Sequence, residues 1–323
     1  MRARTAIFIA CAALASLGLA AGAHAENYPD KPVRVIVATS PGGTSDIFIR
    51  AAGEEFYKRT GQRLVVENRS GGAMNIGAEA CAHASSDGYT ICILPNESLA
   101  LNQYLYKELP YNPEADFVPI TNPFFNPQVI VASAALNVHS LAELAAASKA
   151  APGKLSYSAL SVPMQMFVEE WKKKTGADLV EVPARGGGDV ATGVLTGTVP
   201  VAIVGVPNWL PHIRNGSAVP LAVNTTERLP LLPGVPTLKE TGYADVAQMY
   251  FGIVAPAKTP AIAINKLYAE FKAIGEQPDF RKQRLVEQGL VPVFSSPEEF
   301  QSSLTAERAL AKRRFEESGM EKR

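Results

Sequence analysis

Two short loops carry the residue types best suited to chemistry. The first is Ser40-Pro41-Gly42-Gly43-Thr44-Ser45-Asp46, which follows a β-branched run and opens a stretch of helical periodicity. Open α/β sheets bind ligands at such strand-to-helix turns. The two glycines let the backbone approach a ligand, and unpaired N–H groups at a helix start attract anions. Ser40, Thr44 and Ser45 add hydroxyl donors. The plain alternative is a tight turn in which Ser45 or Asp46 caps the helix. The second loop, Ala184-Arg185-Gly186-Gly187-Gly188, repeats the device further along, with Arg185 as a charge partner. Its plain alternative is a flexible turn with a solvated arginine. One such loop says little; two suggest opposing jaws that grip an anion between helix starts.

Signs of catalysis are missing. No G-x-S-x-G elbow, phosphate-binding loop or metal-ligand spacing occurs, and Gly71-Gly72-Ala73-Met74-Asn75-Ile76-Gly77 does not fit the dinucleotide fingerprint. The expectation is a non-enzyme with no cofactor and no metal. Asp46 and Glu97 could serve as an acid/base pair, but nothing in the sequence brings them together, so capping and surface roles are expected. His83, His139 and His212 are scattered and read as surface or loop residues. Cys81 falls on an expected helix and Cys92 on the strand after it. Two buried thiols are the expectation, and a bridge in an oxidising compartment is the alternative.

Elements that could position the loops alternate along the chain. Strands are expected at 33–38, 64–67 and 89–94, with helices at 46–60 and 78–84. A second series follows, with strands at 129–132, 155–157, 179–182, 199–204 and 220–223. Its helices are 141–149, 165–175 and 188–195. Alternation of this kind means α/β architecture with helices on both faces of each sheet. The amphipathic tail, 262–275 and 297–314, should pack back on the first unit, so that the chain crosses between two lobes twice. Two lobes with two crossings make a hinge-bending clamp, with hinges near Asn126 and Gln248. Lobe 1 is expected to comprise 26–125 and 248–323, and lobe 2 to comprise 126–247.

The first 25 residues read as a cleaved secretory signal: Arg2 and Arg4, an apolar run at 6–20, then Ala23-His24-Ala25. The apolar run is short for a span, which needs roughly 20 residues. The chain has 31 basic and 31 acidic residues, and without Arg2 and Arg4 the balance is about −2. No basic face for nucleic acid or a membrane surface is apparent.

Several short motifs, in order, give the mature chain a family likeness. They are Tyr28-Pro29-Asp30-Lys31-Pro32-Val33-Arg34, Pro41-Gly42-Gly43 with Asp46, and Val65-Val66-Glu67-Asn68. Asp87-Gly88-Tyr89-Thr90, Leu109-Pro110-Tyr111-Asn112-Pro113 before Asp116-Phe117, and Pro152-Gly153-Lys154-Leu155 follow. Val182-Pro183, Gly186-Gly187 and Leu232-Pro233-Gly234-Val235-Pro236-Thr237 complete the set. Together they resemble the substrate-binding proteins of tripartite tricarboxylate transporters, the Bug family. The resemblance implies a two-lobed periplasmic-binding-protein clamp (type II-like), each lobe a mixed sheet flanked by helices. It implies a periplasmic monomer that binds a small carboxylate and meets membrane components of a transporter, without nucleic acid. The ligand-binding residues would be Ser40 to Asp46, Asn96, Ser158, Ser161, Arg185, Gly186, Gly187 and Gly205. A receptor that feeds a sensor, or an enzyme on the same clamp, are the other readings.

Departures from the family pattern point to the ligand. Ser158-Ala159-Leu160-Ser161-Val162-Pro163-Met164-Gln165-Met166 replaces a glycine- and serine-rich stretch, Ala184 stands where a tyrosine is common, and Gly205 stands where an aspartate is common. An aspartate there could pair with an ammonium group. Small and apolar replacements suggest a wider, oilier pocket. With Phe48, Phe124, Phe125 and Trp209 as walls, an aromatic dicarboxylate of the phthalate type is the expected ligand. Ordinary core packing is the plain alternative for each ring.

Overall fold

In the computed structural model, residues 28–184, 187–243, 248–318 and 321–322 are described. Two mixed β-sheets organise them, one of seven strands and one of five. The first begins with β1 (Val33–Val37), α1 (Thr44–Thr60), β2 (Leu64–Asn68), α2 (Asn75–Ala82) and β3 (Thr90–Pro95). β1 lies parallel to β2 on one side and to β3 on the other. Val33, Val35 and Val37 enter the core on one face, Ile36 and Ala38 on the other. Burial on both faces explains the continuous apolar run. A π-helical turn, Glu97–Leu101, then leads towards β4 (Phe117–Thr121) and β5 (Phe124–Asn126).

Beyond Pro127 the chain enters the second sheet. Its elements are β6 (Gln128–Ser133), α3 (Leu141–Ala150), β7 (Leu155–Ala159), α4 (Val162–Thr175), β8 (Leu179–Glu181), α5 (Gly187–Thr196), β9 (Val201–Gly205) and β10 (Ala218–Val223). The spatial order is β10-β6-β9-β7-β8. β7 runs parallel to β8 and β9, and β6 antiparallel to β9 and β10. After the second crossing come β11 (Met249–Pro256), α6 (Ala261–Gly275), β12 (Val291–Pro292) and α7 (Pro297–Ser318).

β4, β5 and β11 are absent from the elements expected from sequence. β11 is the keystone of the first sheet, antiparallel to β3, β4 and β5, and all eight of its residues are buried. Full burial erases the alternation by which a strand is recognised. Pro119 breaks the pattern of β4, which pairs only with β11, and such an edge tolerates proline. Gly252 lets α7 lie close on β11: a Cβ there would sit 2.2 Å from the Phe300 ring.

Cys81 and Cys92 form a disulfide that ties α2 to β3, with Cα atoms 6.1 Å apart. The sequence expectation of two free buried thiols is therefore corrected. The closed loop spans 11 positions. Replacing both cysteines with serine should lower unfolding free energy by about 3 kcal/mol, the entropy of a loop of this length. Urea unfolding of the double variant without reductant checks this.

The two crossings lie side by side, since Asn126 pairs with Met249 where β5 and β11 run antiparallel. Val206 N donates to Pro127 O at 2.8 Å, and Gln128 N donates to Asn224 Oδ1 at 2.7 Å. The surroundings of the two sheets touch at Gly289, where an added Cβ would lie 2.6 Å from Val206 Cγ1.

Candidate functional site

The carboxyl ends of β1 and β3 in one sheet, and of β7 and β9 in the other, each lead into one of the predicted site segments. β1 runs into Thr39–Gly43 and α1, and β3 into Asn96 and Glu97. β7 leads to Leu160 and Ser161, and β9 ends at Gly205. Neighbouring strands keep these ends together, since Val37 lies opposite Ile93 and Ala159 opposite Ile203.

The first loop is held from within by Asp46. Its carboxylate accepts from Gly42 N, Arg50 Nε and Asn68 Nδ2, each at 2.9 Å. Asn68 Nδ2 also donates to Thr39 O at 2.9 Å, and the hydroxyls of Thr39 and Ser45 are 2.7 Å apart. Burial pushes the Asp46 carboxyl up, but Arg50, the Gly42 amide and Asn68 outweigh it and hold it below its ordinary value. Neither Ser45 nor Asp46 caps α1: the N-cap is Gly43, with no side-chain cap. Gly42 has φ +82°, a left-handed conformation that suits glycine. Gly43 N donates to Ser40 O at 3.1 Å. Both glycine amides are thus spent inside the loop. The amides of Thr44, Ser45 and Asp46, in the first turn of α1, have no acceptor within the helix. Ser40, Pro41 and Gly42 are exposed, and Gly43 and Thr44 half-buried.

Other predicted residues make contacts within the chain. Asn96 donates to Glu307 Oε1 at 2.6 Å and to Gln248 O at 3.3 Å, and accepts from Tyr250 N at 3.4 Å. Ser158 Oγ donates to Val182 O at 2.5 Å. A Cβ on Gly187 would lie 2.8 Å from Asn208 Oδ1. At Gly205 it would lie 2.5 Å from Asn126 Oδ1. The space expected from a missing aspartate is therefore filled by Asn126. Arg185 and Gly186 fall outside the described residues.

Glu97 departs most from its sequence reading. It is 4% exposed rather than a surface group, and its carboxylate oxygens have no partner at full hydrogen-bond geometry beyond the approach of the Ser161 hydroxyl. Ser161, the N-cap of α4 in the second lobe, makes no capping bond and turns its hydroxyl towards Glu97. Burial pushes the Glu97 carboxyl up to about 7, and the charge of Glu307 pushes the same way. Asp46 and Glu97 do not form a pair, since Asp46 is fully occupied elsewhere. The sequence signal for this burial is an acid set between Leu94-Pro95 and Leu99-Ala100-Leu101. Glu307 and Tyr250, by contrast, carry no sequence sign of belonging to the site. Glu307 accepts from Tyr250 Oη at 2.6 Å as well as from Asn96, and burial raises its carboxyl.

The expected aromatic wall is not formed. Phe48 stacks edge-on with Phe124 at 4.8 Å and touches Phe280 and Phe294, all inside the first core. Trp209 is fully buried in the second lobe. Only Phe125, packed against Tyr250 at 6.0 Å, stays half-buried. The plain alternative holds for the other three. Among the described residues no cluster of His, Cys, Asp and Glu could hold a metal ion.

A family model described as "Tripartite tricarboxylate transporter family receptor" matches residues 48–319. The chain belongs to this family. Protein BugT of Bordetella pertussis (strain Tohama I) is 32% identical to this receptor over 290 residues, which is 88% of this chain and 89% of that protein. A structure described as that of periplasmic binding protein BugD superimposes on the receptor with TM-score 0.84 and 28% identity, covering 92% of this chain and 100% of that one. "R. palustris Rpa4515 with adipate" gives TM-score 0.82 and 30% identity, covering 88% and 96%. The receptor fold is therefore that of a periplasmic binding protein, an α/β clamp of two mixed sheets flanked by helices.

Proposed function

We propose that this receptor captures a small carboxylate between its two lobes in the periplasm and hands it to the membrane components of a tripartite transporter. The observation that carries the reading is the meeting of strand-end loops across the lobe boundary. Glu97, after β3, stands on one side and meets the Ser161 hydroxyl, after β7, on the other, and Asn126 lies against Gly205. The adipate bound by the R. palustris relative supports a carboxylate as the class of ligand. Secretion would depend on the segment ending at Ala25, which lies outside the described residues, and the mature chain would act as a monomer. The phthalate-type ligand expected from sequence loses its main support, because three of its four rings belong to the cores. We keep the carboxylate and drop the aromatic body.

A ligand gripped by both lobes pulls them together about the crossings at Pro127 and Gln248. Small-angle scattering at saturating carboxylate should show a smaller radius of gyration than the ligand-free protein. Identical curves would place the site within one lobe and refute the clamp.

A further inference from the structure

We propose that Glu97 and Ser161 form a latch of the chain's own making, which draws the two lobes together before any ligand arrives. The inference rests on the two-lobed fold and goes beyond the capture of a carboxylate.

The latch joins elements from different lobes. Glu97 opens the π-helical turn after β3, and Ser161 is the N-cap of α4. Glu97 is 4% exposed and Ser161 1%, so neither side chain is left to water. Ser161 turns its hydroxyl on Glu97 and makes no bond to its own helix, although capping that helix is the ordinary use of a serine at this position. The result is a contact between lobes in place of one within a lobe.

The surroundings of Glu97 point the same way. Asn96 and Tyr250 donate to Glu307, and Arg308 donates to Leu99 O and Pro113 O. Ser98, next in the chain, leaves its hydroxyl unpartnered rather than turning it on Glu97. Glu307 repels an ionised Glu97 from behind, while the start of α4 attracts it, since a helix N-terminus carries about half a positive charge. A protonated carboxyl can donate to the same hydroxyl, so the latch needs no particular protonation state.

Contacts at the crossings bring the latch within reach. A Cβ on Gly205 would lie 2.5 Å from Asn126 Oδ1, and one on Gly289 2.6 Å from Val206 Cγ1, so the lobes already touch there. A hydrogen bond to a charged group shifts an equilibrium by roughly ten- to a hundredfold. The minor arrangement of a two-state protein commonly holds about 0.1–10% of the molecules. A shift of that size therefore decides which arrangement the free protein keeps.

The test is small-angle scattering and amide hydrogen exchange on the ligand-free parent, Ser161→Ala, Glu97→Ala and the double variant. Alanine at 161 removes the bond across the lobes without uncapping α4, since no capping bond exists to lose. Ser161→Ala should show a larger radius of gyration than the parent. The amides of Val162, Met164 and the 97–101 turn should exchange about tenfold faster, while those of β1 and β9 keep the parent's rates. Glu97→Ala should do the same, and the double variant should add nothing further. A Ser161→Ala protein with the parent's radius and exchange would overturn the latch and leave the receptor standing. Effects that add in the double variant would also overturn it, because the two residues would then act separately.

Discussion

Replacing Asp46 with alanine should lower unfolding free energy by roughly 3–5 kcal/mol and abolish carboxylate binding. Three donors, Gly42 N, Arg50 Nε and Asn68 Nδ2, converge on this carboxylate. Hydrogen bonds to charged groups contribute about 1.5–3 kcal/mol each, less than additively within one network. Arg50 is half exposed and can return to water, which limits the loss. Gly42 and Asn68 cannot do so without reshaping the loop that presents the α1 amides. Asp46 is therefore a positioning residue, and its removal should cost affinity even where the variant remains folded. Its carboxyl lies below the ordinary value, so the stability it contributes is present above the unfolded value of about 4 and lost as pH falls through the folded one. Urea unfolding at pH 7 and pH 3, with calorimetry at pH 7, checks both effects. Unchanged affinity in a folded Asp46→Ala protein would show that the loop needs no such brace.

Glu97 should act in the opposite sense. Its carboxyl is raised to about 7 in the folded chain, chiefly by burial. The folded state then holds a proton that the unfolded state gives up above about pH 4.5. The ligand-free protein should lose stability as pH climbs from there through about 7. By pH 8 the loss attributable to Glu97 is on the order of 3 kcal/mol, since each tenfold difference in proton affinity between the two states is worth about 1.4 kcal/mol. Glu97→Gln should remove this decline, leaving a ligand-free protein more stable than the parent at pH 8 and nearly equal to it at pH 4. Chemical unfolding across pH 4–8 measures it. A parent and variant with parallel profiles would mean that Glu97 finds a partner in solution.

The strand-to-helix loops are legible in the sequence because glycine, proline and hydroxyl residues after a β-branched run leave few other structures. The wider architecture is legible for the same reason: helix and strand periods alternate cleanly through 33–94 and 129–223. Position in the sheet is a different matter. β11 escapes recognition because its burial on both faces leaves an unbroken apolar run, and β4 because Pro119 interrupts it. Within the site, the roles of Asp46 and Glu97 depend on partners far along the chain. Asn68 lies 22 positions from Asp46, and Glu307 lies 211 positions from Asn96. Helical periodicity places Glu307 on an amphipathic tail helix, where an acid is ordinarily solvated. The aromatic residues mislead for a related reason: proximity in sequence to a cleft loop does not say which face of the element points into the core. Phe48 sits two residues after Asp46, and its ring turns away to meet Phe124.

The central claim is that a small carboxylate is held between the lobes. Native mass spectrometry of the protein recovered from the periplasm of its own cells, with identification of the released molecule, tests this most directly. The expected result is one small organic acid per chain, lost on unfolding and displaced by added acids of the same class. A bound molecule without a carboxylate, or an added acid converted to product, would contradict the account.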